Sequence, residues 1–229
     1  MRCASDTAAR AKSTRCIRSS TFGMCSGYAP RAGGSAVRQE KYRDANPAVR
    51  FVIGRFFERI RAVMGEVDAH SVLDAGCGEG ELQRRSVLGT GITSVCLDLR
   101  LESLTDLRNA TNQRSLICGS VQALPFASSS FDAVICLEVL EHLEDPAGAV
   151  RELARVARRA LVLSVPYEPY FRLGNLVRGK HLRHFGNFPE HVQHWNFATF
   201  RAFLSSVLSE IRLIEAFPWI IACCRPDYR

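Results

Sequence analysis

The sequence predicts an α/β protein: a mostly parallel sheet of seven strands, helices on both faces, and a C-terminal antiparallel hairpin. Three observations carry this expectation. Short apolar runs alternate with segments of helical period between about residues 71 and 165, the pattern of strands joined by crossover helices. A glycine cluster, Gly76-Cys77-Gly78-Glu79-Gly80, follows the first of these runs at once. Two final apolar runs, 210–216 and 219–224, are separated by Phe217-Pro218 alone, a link that suits a hairpin and is too short for a crossover.

Taken in order, residues 1–38 form a basic tail with Ser, Arg, Ala and Gly and no apolar periodicity, which is expected to be disordered. Seven Arg and Lys stand there against Asp6, so most of the net charge of +7 sits outside the folding part. A nucleic-acid binder usually carries its basic surface on the folded domain, and no nucleic-acid partner is expected. The tail reads either as an Arg- and Ser-rich organelle leader or as a plain extension, with Met24 as an alternative start. Residues 39–229 form the single domain. From Asn46-Pro47 onward Val49, Val52, Ile53, Phe56, Phe57, Ile60 and Val63 recur at spacings of three and four, one apolar helical face.

Strands are expected at 71–75, 93–98, 115–118, 131–137 and 159–165, and helices at about 79–88, 100–111 and 146–157. Asp145-Pro146 signals the last of these helices, a cap residue followed by proline in the first turn. An irregular stretch, 166–196, precedes a helix at about 197–208. No apolar run approaches the length of a membrane-spanning helix. Of the nine cysteines, Cys77, Cys96, Cys118 and Cys136 fall in or beside core strands, and no C-x-x-C occurs. That placement argues against zinc or a disulfide framework and for a reducing, cytoplasmic setting.

The chemistry concentrates at the glycine cluster. Glycine lets the chain reverse sharply from strand to helix and lets a ligand lie against the backbone. Asp74 ends its strand where open α/β sheets bind ligands, and its carboxylate suits a cationic ammonium. Asp98 ends the second strand, 18 residues after Gly80, where an acid can accept both hydroxyls of a ribose. Ser120-Val121-Gln122-Ala123-Leu124-Pro125-Phe126 follows the third strand and can close over an adenine ring, or form a plain turn packed on the core. A dinucleotide fingerprint would require glycine at position 81, which is Glu.

These motifs, with Ser130-Phe131-Asp132-Ala133-Val134, Glu138-Val139-Leu140-Glu141-His142-Leu143 and Arg151-Glu152-Leu153-Ala154-Arg155-Val156, resemble the class I S-adenosylmethionine methyltransferases over about residues 70–165. The type 11 small-molecule branch, which includes quinone-biosynthesis enzymes, is the most similar group. The resemblance implies a Rossmann-like sheet, S-adenosylmethionine as cofactor, and methyl transfer to a small molecule that is lipid-, quinone- or glycan-linked. It places Asp74, Gly76 and Gly78 on the methionine part, Gly80 in the turn and Asp98 on the ribose. Leu99 then packs on adenine, Ser120 and Val121 reach the adenine edge, and Leu137 lines the methionine pocket. Many relatives carry Asp where this chain has Ser120, which still accepts a hydrogen bond but brings no charge. The alternative is a cofactor-binding regulatory or inactive partner subunit of the same fold. Nucleic-acid amino methylases usually show an Asn- or Asp-Pro-Pro-aromatic signature after strand four, where this chain reads Leu137-Glu138-Val139-Leu140.

The segment 166–196 is expected to be a lid over the methyl donor, with His191 or His194 facing the acceptor, because long irregular loops inside compact domains usually have a function. His191 and His194 are the candidate catalytic bases, and His142, Tyr167, Arg178, Lys180 and His184 the candidate acceptor contacts. Phe171, Phe185, Phe188 and Trp195 are expected to shield the sulfonium from water. The competing reading has His191 and His194 capping the helix near 197. No metal is expected, since no Cys lies nearby and Glu190 alone could add a carboxylate within the segment.

Overall fold

A computed structural model describes residues 46–168, 170 and 191–226. The basic tail lies outside the described residues. The elements in chain order are α1 (Pro47–Gly65), β1 (Ser71–Ala75), α2 (Glu81–Arg84), β2 (Thr93–Asp98), α3 (Leu101–Ala110), β3 (Leu116–Cys118) and β4 (Phe131–Leu137). A 3-10 turn (Leu140–His142), α4 (Pro146–Val156), β5 (Ala157–Pro166), α5 (Phe197–Ser205), β6 (Glu210–Ala216) and β7 (Trp219–Arg225) complete the chain.

The strands form one seven-stranded sheet in the order β3-β2-β1-β4-β5-β7-β6. The first five are parallel, and β7 lies antiparallel between β5 and β6. The hairpin is therefore as expected, with its second strand inside the sheet and its first at the edge. Because side chains alternate along a strand, each central strand feeds two cores. Leu73, Ala75, Val134 and Cys136 face one layer with Leu153, Phe200 and Leu204 from α4 and α5. Val72, Ala133 and Ile135 face the other with Ile53, Phe56, Ile60 and Val63 from α1.

Helix starts follow their sequence signals. The Asn46 side chain accepts from the Ala48 N–H at 2.9 Å with Pro47 behind it, and Asp145 accepts from the Gly148 N–H at 2.8 Å ahead of Pro146. The helix expected over 79–88 is only four residues long. Gly80 enters it from a left-handed conformation, and Ser86, at φ 48, turns the chain out of it. The final helix stops at Ser205 rather than 208. β5 begins directly at the end of α4, two residues earlier than the apolar run indicates.

At the opposite end of β4 from the ligand edge, Asp132 is a structural staple. Its carboxylate accepts from the backbone of His70 and Ser71 and from the Ser71 hydroxyl, and it pairs with Arg158. These donors, the His70 N–H foremost, hold its carboxyl below the usual carboxylate range. Among the described residues all six cysteines are free thiols, and no helix is long and apolar enough to cross a membrane.

Candidate active site

Strands β1, β2 and β4 end side by side, and the turns that leave them build the site. The glycine loop after β1 is tied down by its own backbone. Gly76 and Cys77 both donate to the Leu97 carbonyl of β2, at 2.7 and 3.0 Å. The Gly78 N–H donates to Asp98 Oδ2 at 2.8 Å, while Asp98 Oδ1 accepts from the Arg100 N–H at 2.9 Å. Asp98 thus clamps the loop to β2, and each of its oxygens keeps a further acceptor direction.

The three glycines serve three different purposes. All have positive φ. A Cβ on Gly76 would lie 2.4 Å from Val139 Cγ2, so this glycine lets the end of β4 pack on the loop. A Cβ on Gly80 would lie 2.1 Å from Leu107 Cδ1, so this one seats the loop against α3. A Cβ on Gly78 would meet nothing within 4 Å, so its open side is left for a ligand.

Asp74 is buried, and one of its oxygens accepts from Gln83 Nε2 at 3.1 Å. Burial pushes its carboxyl up to about 7, with the nearby Asp98 charge adding to the rise and the Gln83 hydrogen bond opposing it. Gln83 Oε1 is itself buried and meets no donor among the described residues. A carboxylate and an amide oxygen beside one glycine loop form an acceptor set suited to an ammonium. On the β2 side, Leu99 is 58% exposed next to Asp98, an apolar surface open to a flat ring.

Ser120 starts a turn rather than pointing freely outward: its hydroxyl accepts from the Gln122 N–H at 3.2 Å. Val121 is buried in the core. The Leu124-Pro125-Phe126 stretch packs as the plain turn, with Phe126 edge-on to Phe131. Arg155 donates to both the Leu124 and Phe126 carbonyls. Leu137 is half-buried at the end of β4 and packs toward the α1 layer.

Beyond Leu137 the backbone is unusual. Glu138 has φ 58, a left-handed conformation that a Cβ disfavours. It is held by burial and by donors, Trp219 Nε1 to its Oε2 at 2.7 Å and the Ser164 hydroxyl to its Oε1 at 3.2 Å. Strain of this kind persists where surroundings over-determine it, often at functional sites. The kink directs Val139 onto Gly76 and starts the 3-10 turn that carries Glu141 and His142.

Of the expected lid, both feet are described. Tyr167 donates from its N–H to the Pro218 carbonyl and bridges to Trp195, and the Glu168 N–H donates to the Trp195 carbonyl. The N–H groups of Val192 and Gln193 donate to the Glu141 carbonyl at 2.8 and 3.1 Å. This seam brings His191 against His142, ring centroids 4.9 Å apart. His191 is buried and His194 is exposed. Neither caps α5: that role falls to Asn196, in a reciprocal capping box with Thr199. Trp195, expected over the sulfonium, is instead buried against Phe200 and Phe203, where it anchors the returning chain. Tyr167 stacks edge-on with Tyr170 and Phe197. Arg178, Lys180 and His184, with Phe171, Phe185 and Phe188, lie outside the described residues.

Four residues escaped the sequence reading. Gln83 lay in the middle of an expected helix with no motif of its own. Glu138 and Glu141 belonged to a recognised motif but received no role, and Val139 matters only through its contact with Gly76.

A clamped glycine loop, an acid ending β2 and a seven-stranded sheet with β7 antiparallel together define a class I S-adenosylmethionine-dependent methyltransferase fold. Residues 73–163 match the family described as a methyltransferase domain. The ubiquinone biosynthesis O-methyltransferase of Paracidovorax citrulli is 33% identical over 137 residues, covering 52% of this chain and 57% of that protein. An O-methyltransferase of Aspergillus nomiae is 31% identical over 114 residues, covering 47% of this chain and 49% of its own. The chain thus matches about half the length of these curated relatives. Among solved structures, magnesium protoporphyrin IX methyltransferase from Synechocystis with bound S-adenosylhomocysteine superposes with a TM-score of 0.60 at 19% identity. That match covers 84% of this chain and 96% of the other, and it speaks to the fold.

Proposed function

We propose that this protein transfers a methyl group from S-adenosylmethionine to an oxygen of a small-molecule acceptor. The observation that carries the reading is the Asp98 clamp, in which one carboxylate holds the Gly78 N–H and keeps acceptor capacity beside an open glycine and an exposed Leu99. The residues fit the cofactor. Asp98 would take the ribose hydroxyls, Leu99 the adenine face, and Asp74 with Gln83 the methionine ammonium. Ser120 retains a lone pair for the adenine edge. The role of oxygen as acceptor atom is supported by relatives named as O-methyltransferases.

The bound cofactor supplies an already activated methyl on a sulfonium, so the protein's share is mainly alignment and exclusion of water. The loop is immobilised through Leu97 and Asp98, and the end of β4 is locked to it through Gly76 and Val139. That rigid pairing fixes where an acceptor can approach. His191, buried against the His142 ring beside the turn that follows β4, is the candidate base for an acceptor hydroxyl in preference to the exposed His194. The acceptor is read as lipid-, quinone- or glycan-linked, and entry is over the turn that carries Glu141 and His142.

The test is mass spectrometry of metabolites from cells with and without the gene, seeking pairs that differ by one methylene. Such a pair, reproduced by the purified protein with S-adenosylmethionine, is the expected result. Binding of S-adenosylhomocysteine with no methylated product in either setting would favour the regulatory-subunit alternative.

A further inference from the structure

Metal-ligand side chains converge where the expected lid segment returns to the sheet. Glu141, His142 and His191 each present one ligand atom, and these atoms all lie within 4.8 Å of one another. His142 Nε2 stands 3.9 Å from Glu141 Oε1, and the two imidazoles meet edge to face. The Glu141 carboxylate is 1% exposed and the His142 side chain 20%, so the cluster sits at the boundary between protein and open site. Ligands held tetrahedrally at about 2.1 Å from a cation lie roughly 3.4 Å apart, so modest ring rotations close the group around an ion.

We propose that Glu141, His142 and His191 bind one divalent transition-metal cation, whose remaining coordination positions take the acceptor oxygen. This deepens the methyltransferase reading and rests on it for the acceptor. Two imidazoles and one carboxylate suit zinc, cobalt, iron or manganese, whereas magnesium and calcium favour oxygen ligands throughout. Three protein ligands leave positions open, as catalytic rather than structural sites do. The location agrees with that use. Glu141 and His142 follow the β4 end, which touches the glycine loop through Val139 and Gly76. The cation would therefore lie on the acceptor side of the cofactor loop.

The chemistry balances without a redox partner. With His191 engaged as a ligand, the cation takes over the role of the base: a hydroxyl bound to a cation loses its proton more readily, and that proton passes to solvent. The oxygen then forms the new bond to the methyl carbon as the carbon–sulfur bond breaks and its electron pair returns to sulfur. The products are a methyl ether, S-adenosylhomocysteine and one proton. The seam between Glu141 and residues 192–193 makes the site conditional on the fold, because the carbonyl of Glu141 positions the strand of chain that bears His191.

The experiment uses the full chain, stripped with a chelator and dialysed. Co2+ is titrated by visible absorption and Zn2+ by calorimetry, for wild type, Glu141→Gln and His191→Ala. S-adenosylhomocysteine is titrated into each protein in parallel. The expected result is one Co2+ site per chain with d–d bands, at least tenfold weaker in both variants, while S-adenosylhomocysteine affinity is unchanged. Absence of Co2+ bands in wild type overturns the proposal. So does Co2+ binding of equal strength in His191→Ala, which would place the ion elsewhere. If Glu141→Gln fails to fold, the exposed-side variant His142→Ala takes its place. Wild type that binds Co2+ but not S-adenosylhomocysteine would refute the cofactor reading instead, so the two failures are distinguishable.

Discussion

Replacing Asp98 by alanine separates two roles of one carboxylate. In the folded chain its oxygens accept from the N–H groups of Gly78 and Arg100, at 2.8 and 2.9 Å. The second acceptor direction on each oxygen is assigned to a ribose hydroxyl. Hydrogen bonds to charged groups contribute about 1.5–3 kcal/mol each when a partner is left unmet. Ribose hydroxyls in the variant regain some water, so the net loss for the pair is about 2–3 kcal/mol, or roughly 30- to 150-fold in Kd. The Gly78 N–H also loses its acceptor, which lowers stability by about 1 kcal/mol in a half-buried position. Calorimetric titration of S-adenosylhomocysteine, well below both melting transitions, isolates the first effect from the second. Asp98→Asn, which keeps one acceptor oxygen, should fall between wild type and alanine. Wild-type affinity in Asp98→Ala would refute the ribose assignment outright.

The remaining expectations concern the same three turns. Asp74 titrates near pH 7 when folded, against an ordinary value of 3.8 for its carboxyl, because burial disfavours its charge. A raised value means the folded chain keeps this proton after the unfolded chain has lost it, so its stabilising contribution is full below about pH 4 and is lost as pH climbs through about 7. A cationic ligand group needs the ionised form, so affinity for S-adenosylhomocysteine should rise about fivefold from pH 6 to 7, and Asp74→Asn should flatten that rise. Flat affinity in wild type would separate Asp74 from the ligand. Gly80→Ala must fit a Cβ against Leu107 at positive φ and should lose about 2–4 kcal/mol of stability by denaturant titration. Gly78→Ala, with open space around it, should lose only about 1–2 kcal/mol of stability yet bind cofactor poorly. The reverse ordering would contradict the division of roles among the glycines. His191→Ala should lower turnover at least tenfold with S-adenosylmethionine affinity intact, whereas exposed His194→Ala should not. Equal turnover in both would make His191 structural.

What the sequence revealed and what it concealed divide along chain distance. Asp74, the glycines and Asp98 were legible as candidates because their residue types stand in consecutive positions and at one short strand-to-strand spacing. The sheet was legible because buried parallel strands read as apolar runs, and the hairpin because Phe217-Pro218 leaves no room for a crossover. Trp195 misled because an aromatic in an irregular segment looks like a cover, while its partners Phe200 and Phe203 lie in the next helix and draw it into the core. The overlong α2 had a similar cause: nothing in the residue pattern marks Ser86 as left-handed. The Glu141, His142 and His191 cluster was hidden for a clearer reason. Glu190 is the acid beside the histidines in sequence, whereas the fold supplies Glu141, fifty positions before His191, through two hydrogen bonds to its carbonyl. Glu138 was hidden in the same way, since its partners Ser164 and Trp219 come from β5 and β7.

The central claim is that the loop after β1 and the acid ending β2 form a site for S-adenosylmethionine and not for a nicotinamide dinucleotide. Calorimetric titration of the full chain with S-adenosylhomocysteine, and separately with NAD, tests it most directly. Saturable one-to-one binding of S-adenosylhomocysteine with no heat from NAD is the predicted result. Binding of NAD in preference, or no binding of S-adenosylhomocysteine to protein that melts cooperatively, would contradict the account.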